Sequence, residues 1–138
     1  MKRIIITGIS VLLIVFLAAA DAVAQGAGEK AVARADSPDY SDEEVLTGLI
    51  ESGDTDYILV DVRTPEEYAE GYIPTAINIL LSEIGENPPT ENRDALIILY
   101  CRSGNRSSQA QRILEGLGYT NVHNFGGIID WSGETVIP

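Results

Sequence analysis

The stretch that most limits how this chain can fold is Ala95-Leu96-Ile97-Ile98-Leu99-Tyr100. It runs without a break into Cys101-Arg102-Ser103-Gly104-Asn105-Arg106, after which Ala110, Ile113, Leu114 and Leu117 recur at helical spacing. An uninterrupted apolar run of this kind suits a strand buried on both faces. Gly118 stops the helix that follows. A strand of that type needs cover above and below, and a helix directly after it can supply one layer.

The same alternation recurs elsewhere. Tyr57-Ile58-Leu59-Val60, closed by Asp61, is a second apolar strand. Thr64-Pro65-Glu66-Glu67 opens a short helix: Thr64 caps, Pro65 fits the first helical position, and Glu67 completes a capping box. Gly71 and Pro74 end it. Ser41-Asp42-Glu43-Glu44 reads as another capping box, with Val45, Leu46 and Leu49 as the apolar stripe and Gly53 as the stop. Ala76-Ile77-Asn78-Ile79 is a short strand, and Asn121-Val122-His123-Asn124-Phe125 is a last one, ended by Gly126-Gly127. The glycine pair suits tight packing or a turn better than a nucleotide loop. Leu81 to Gly85 fits neither period, and Asn87-Pro88-Pro89 is loop. Strands alternating with helices indicate an α/β fold with a mainly parallel sheet.

A chain of 138 residues favours one domain. Met1-Lys2-Arg3 is a basic start, Ile4 to Ala20 carries no charge, and Ala22-Val23-Ala24 precedes Gln25. That order is expected of a secretory signal peptide over 1–24, with an earlier cut after Ala20 as a variant and an uncleaved anchor as the alternative. Residues 25–39, rich in Gly, Ala and charge, read as a flexible linker, and the folded domain spans 40–138. The expected location is outside the cytoplasm, in the periplasm, with no stable membrane association once the leader is removed. The formal net charge of -12 disfavours nucleic acid and anionic membranes as partners. It also makes Arg102, Arg106 and Arg112 conspicuous as a local positive cluster.

Cys101 is the only cysteine. An exported chain with one cysteine cannot close an internal disulfide, and an odd cysteine there suggests a reactive thiol or a bond to a thiol-protein partner. Cys101 stands at the carboxyl end of the best strand, where α/β sheets collect ligand sites. The thiolate is the nucleophile, and a helix N-terminus with nearby arginines favours it. Gly104 permits a sharp turn, Ser103 and Asn105 suit one, and successive backbone N–H groups make an anion nest. Arg106 can add fork-like donors to an oxyanion. One cysteine and one histidine, His123, make no metal cluster, and no cofactor is implied. Trp131 is expected to pack at the end of the core.

Taken together, Val60-Asp61-Val62-Arg63-Thr64-Pro65-Glu66-Glu67-Tyr68, Gly71-Tyr72-Ile73-Pro74-Thr75-Ala76-Ile77-Asn78-Ile79, Tyr100-Cys101-Arg102-Ser103-Gly104-Asn105-Arg106-Ser107, Leu117-Gly118-Tyr119 and Gly126-Gly127-Ile128-Ile129-Asp130-Trp131 resemble single-domain rhodanese sulfurtransferases. The resemblance covers nearly everything from Tyr40 to Trp131 and implies a central parallel sheet flanked by helices on both faces. It implies that Cys101 takes a sulfane sulfur from a donor such as thiosulfate, becomes a persulfide, and passes the outer sulfur to cyanide or a thiol. It also implies that Arg102 and Arg106 frame the anion. Asp61 and Arg63 would support the site through hydrogen bonds or an ion pair, or touch the substrate themselves. The family usually reads Gly-His-Ile-Pro-Gly-Ala where this chain has Tyr72 and Thr75, and the tail after Trp131 is short.

Two other functions share these residues. A phosphatase of related fold uses a similar loop, but with its arginine six places after the cysteine; Arg106 is five places after Cys101. A binding or redox-sensing module would use the thiol without turnover.

Overall fold

The computed structural model describes residues 37–138. The leader over 1–24, and the linker except for 37–39, lie outside the described residues. Helix α1 (Glu43–Ser52) precedes strand β1 (Tyr57–Asp61), followed by α2 (Pro65–Ala69), β2 (Ile77–Asn78), β3 (Leu96–Cys101), α3 (Asn105–Gly116) and β4 (Val122–Gly127). A 3₁₀ turn, Ile128–Asp130, comes last. The sheet order is β2-β1-β3-β4 and every neighbouring pair is parallel.

The apolar strands are buried on both faces, as their unbroken runs require. Val60, Ile97, Leu99 and Cys101 pack on one side with Ala110 and Leu114 of α3. Leu59, Ile98 and Tyr100 pack on the other with Leu46 of α1. Because side chains alternate along a strand, adjacent residues Tyr100 and Cys101 belong to opposite cores. Ile84, in the segment whose pattern is ambiguous, is fully buried within a run of turns against the α3-side core.

Capping at α1 differs from the Ser41 reading. The helix begins one residue later, and the Asp42 carboxylate accepts the Glu44 N–H at 2.8 Å. Ser41 instead donates its hydroxyl to Asp39 at 2.6 Å. Asp42 is in extended conformation, which suits the cap, and Glu44 then lies too early in the helix to close a box. The box at α2 forms as its sequence predicts. Thr64 Oγ1 accepts the Glu67 N–H at 3.3 Å, and Glu67 Oε2 accepts the Thr64 N–H at 3.1 Å.

Gly126 and Gly127 are part of β4 rather than a stop beyond it. A bulge lies between the pairs Leu99↔Asn124 and Tyr100↔Gly126, bringing Gly127 beside Cys101. A Cβ on Gly127 would lie 2.3 Å from the Arg102 carbonyl oxygen and 2.7 Å from Ser103 Cα. The close approach of β4 to the cysteine loop therefore needs glycine, which accounts for this half of the pair.

The segment after Trp131 pairs back onto the domain. Tyr72 and Val136 form an antiparallel bridge, with N–H to O distances of 2.9 and 2.8 Å. Thr75, at the family's usual glycine, has a φ of +75°. For a β-branched residue that conformation costs about 1–2 kcal/mol, partly offset by the 2.9 Å hydrogen bond between its hydroxyl and that of Tyr57. Tyr72, at the family's usual histidine, stacks on Tyr68 with ring centroids 4.1 Å apart.

Candidate active site

Cys101 is the last residue of β3, and α3 starts four residues later. Gly104 makes the turn between them with φ +96°. The helix N-terminus therefore faces the sulfur: the Gly104 N–H donates to Cys101 Sγ at 3.0 Å. Ser107 Oγ lies 3.4 Å from the same sulfur. Its single proton has two other acceptors within reach, the carbonyls of Gly104 at 3.1 Å and Gly126 at 3.2 Å. The hydroxyl can turn its proton onto the sulfur when the thiol ionises.

Cys101 is only 1% exposed. Burial pushes its thiol pKa up. The hydroxyl and N–H of Ser107, with the N–H groups of Gly104 and Ser103, pull it down and prevail, so the thiol ionises below its ordinary value. An inert cysteine in an apolar core would shift the other way. The expected depression is thus present; hydrogen-bond donors on the sulfur are its largest source, and the Arg106 charge is coupled to the same thiolate.

The remaining loop residues divide. Arg102, Ser103 and Asn105 are exposed. Arg102 contributes its carbonyl to the fold, accepting the Ile129 N–H at 3.2 Å. Asn105 accepts a hydrogen bond from Gln109 at 3.4 Å. Arg106 does not stand free at the mouth. Its Nη1 and Nη2 donate to the two carboxylate oxygens of Glu67 at 2.7 and 2.9 Å. That fork holds the Glu67 carboxyl down to about 2. Arg112 is exposed farther along α3.

Asp61 and Arg63 form a buried ion pair. The guanidinium donates to Asp61 through Nε at 3.0 and 2.9 Å and through Nη2 at 2.7 Å, and Nη2 also reaches the Gly71 carbonyl at 2.8 Å. Asp61 is the register partner of Tyr100, on the sheet face opposite Cys101. His123 is bonded to Asn121 at 2.8 Å and packs against the Tyr40 ring. Trp131 sits edge-on to Phe125 at the end of the core.

Two residues at this site escape a reading of the sequence in segments. Glu67 is recognisable only as a cap, because its second role depends on α2 and α3 meeting in space. Ser107 carried a usable signal: it lies in the first turn of the helix that opens beside Cys101. Ser107→Ala is expected to lower the rate of Cys101 alkylation by a small haloacetamide at pH 7 about tenfold, the loss of one hydrogen bond to a charged group. The alkylation profile should move to higher pH, because the folded thiolate loses a donor. An unchanged profile would show that the backbone N–H groups suffice.

This geometry has known relatives. A family model described as the rhodanese-like domain matches residues 42–134. YtwF of Bacillus subtilis is 40% identical over 96 residues, covering 67% of this chain and 93% of its own. The thiosulfate sulfurtransferase PspE of Escherichia coli is 41% identical over 73 residues, covering 51% of this chain and 70% of its own. A solved structure, a rhodanese with anions from E. coli, is 36% identical with a TM-score of 0.56, covering 59% of this chain and 99% of that one. With its parallel sheet, its thiol at a strand end and a family match across most of the described residues, the chain belongs to the rhodanese-like family of sulfurtransferases.

Proposed function

We propose that Cys101 carries sulfane sulfur from a small anionic donor such as thiosulfate to a thiol or cyanide, and that the protein does this after export, in the periplasm. The thiolate attacks the outer sulfur of thiosulfate. A sulfur–sulfur bond forms to Cys101, the donor's own sulfur–sulfur bond breaks, and its electron pair leaves with sulfite. Charge is conserved at three negatives on each side. An acceptor thiolate or cyanide then attacks the outer sulfur of the persulfide, forming a new persulfide or thiocyanate and returning the Cys101 thiolate.

The observation that carries this reading is the set of donors on the sulfur, with the Gly104 N–H at 3.0 Å and Ser107 Oγ at 3.4 Å. The same donors can hold a persulfide anion one bond further out. The engagement of Arg106 by Glu67 weighs against the phosphatase alternative, because a transferring phosphoryl group would need that guanidinium.

Thiosulfate should add one sulfur atom to the wild-type chain by intact mass, and cyanide should remove it as thiocyanate. Absence of any sulfur adduct with thiosulfate or an organic persulfide would overturn the reading.

A further inference from the structure

The pairing of Arg106 with Glu67 bears on which donors the loop accepts. Glu67 is tethered at both ends of its carboxylate, by the Arg106 fork and by the Thr64 N–H at 3.1 Å. It cannot swing away without giving up the cap of α2. Arg106 sits in the first turn of α3, and its charge lies close enough to the Cys101 sulfur to be coupled to it. The pair is about one-third exposed, at 32% and 28%, and so lies where an approaching ion would feel it.

Resting on the sulfur-transfer reading above, we propose that Glu67 selects donors by charge, favouring singly charged sulfane donors such as thiosulfonates and organic persulfides over the doubly charged thiosulfate ion. The argument is a charge count. With Arg106 neutralised by Glu67, the exposed Arg102 is the one cation left in the loop to balance the Cys101 thiolate. A singly charged donor then leaves the mouth with one excess negative charge, and thiosulfate leaves it with two. An unpaired Arg106 would lower each count by one. The acidic balance of the whole chain adds to the repulsion of a dianion. Glu67 is in this sense a positioning residue that acts through Arg106.

Methanethiosulfonate is a suitable probe, because a methyl group replaces one charged oxygen of thiosulfate with little change in shape. The thiolate attacks its outer sulfur, a sulfur–sulfur bond forms to Cys101, and the bond to the sulfonyl sulfur breaks with its electron pair leaving on methanesulfinate. Two negative charges stand on each side. The experiment measures kcat/KM for both donors, with cyanide as acceptor, in wild type and in Glu67→Gln, where the amide oxygen can still accept the Thr64 N–H. The ratio of thiosulfate to methanethiosulfonate should rise about tenfold in Glu67→Gln. It should fall in Arg106→Gln, which leaves the carboxylate unbalanced. In wild type it should rise with added salt, because screening relieves the dianion more. The last two measurements do not depend on Glu67→Gln folding. Ratios within about twofold of wild type in both variants, or no response to salt, would overturn the inference. Failure of both donors to load wild-type Cys101 would instead overturn the sulfur-transfer reading beneath it.

Discussion

Cys101→Ser is expected to lower kcat/KM for sulfur transfer by about four orders of magnitude or more, the scale seen when a nucleophile is removed from a site whose binding groups remain. Serine fits the space, and its oxygen can still accept the Gly104 N–H, so the variant should fold and unfold with a midpoint close to wild type. The chemistry fails for two reasons. An alkoxide is not accessible at neutral pH without a base, whereas the surrounding donors already lower the thiol pKa. Among the described residues no carboxylate or imidazole is hydrogen-bonded to the sulfur: Glu67 is committed to Arg106 and Thr64, and His123 to Asn121. Furthermore, no persulfide can form on oxygen. The checks are thiocyanate production and intact mass after thiosulfate treatment. Residual transfer within about a hundredfold of wild type would mean that the sulfur is carried elsewhere.

Much of this arrangement is legible in the sequence, wherever the determining interaction is local. The doubly buried β3 follows from its unbroken apolar run, the start of α2 from Thr64-Pro65-Glu66-Glu67, and the turn before α3 from Gly104. What resists local reading depends on contacts between distant segments. Glu67 and Arg106 are separated by 39 positions, and nothing near either one signals the other. The bulge that places Gly127 against the Arg102 carbonyl depends on β3 and β4 pairing. The cap of α1 moves from Ser41 to Asp42 because several residues there can cap, and their backbone angles decide among them. The positive φ of Thr75 runs against its residue type and becomes visible only where the chain bends to meet Tyr57.

The second large effect is on stability. Arg63→Met should destabilise the fold by about 3–5 kcal/mol, read as a lower urea midpoint with an unchanged slope. Methionine retains much of the aliphatic volume, so the loss is electrostatic. Asp61 is 0% exposed, and in wild type its carboxylate receives both the Arg63 side chain and the Arg63 backbone N–H, the latter at 2.9 Å. Removing the guanidinium leaves a buried charge without its counterion. It also strips the Gly71 carbonyl of its 2.8 Å partner, next to the Tyr72–Val136 bridge that closes the tail. Asp61→Asn added to Arg63→Met should recover part of the loss, because the uncompensated charge is then gone. The same variants separate the two roles that Asp61 and Arg63 could hold. A structural pair on the Tyr100 side of the sheet predicts a lower unfolding midpoint, with the Cys101 alkylation profile kept in the molecules that remain folded. A donor-binding Arg63 predicts the reverse: stability close to wild type and a raised KM for thiosulfate. The burial of both side chains and their position across the sheet from the sulfur favour the first outcome.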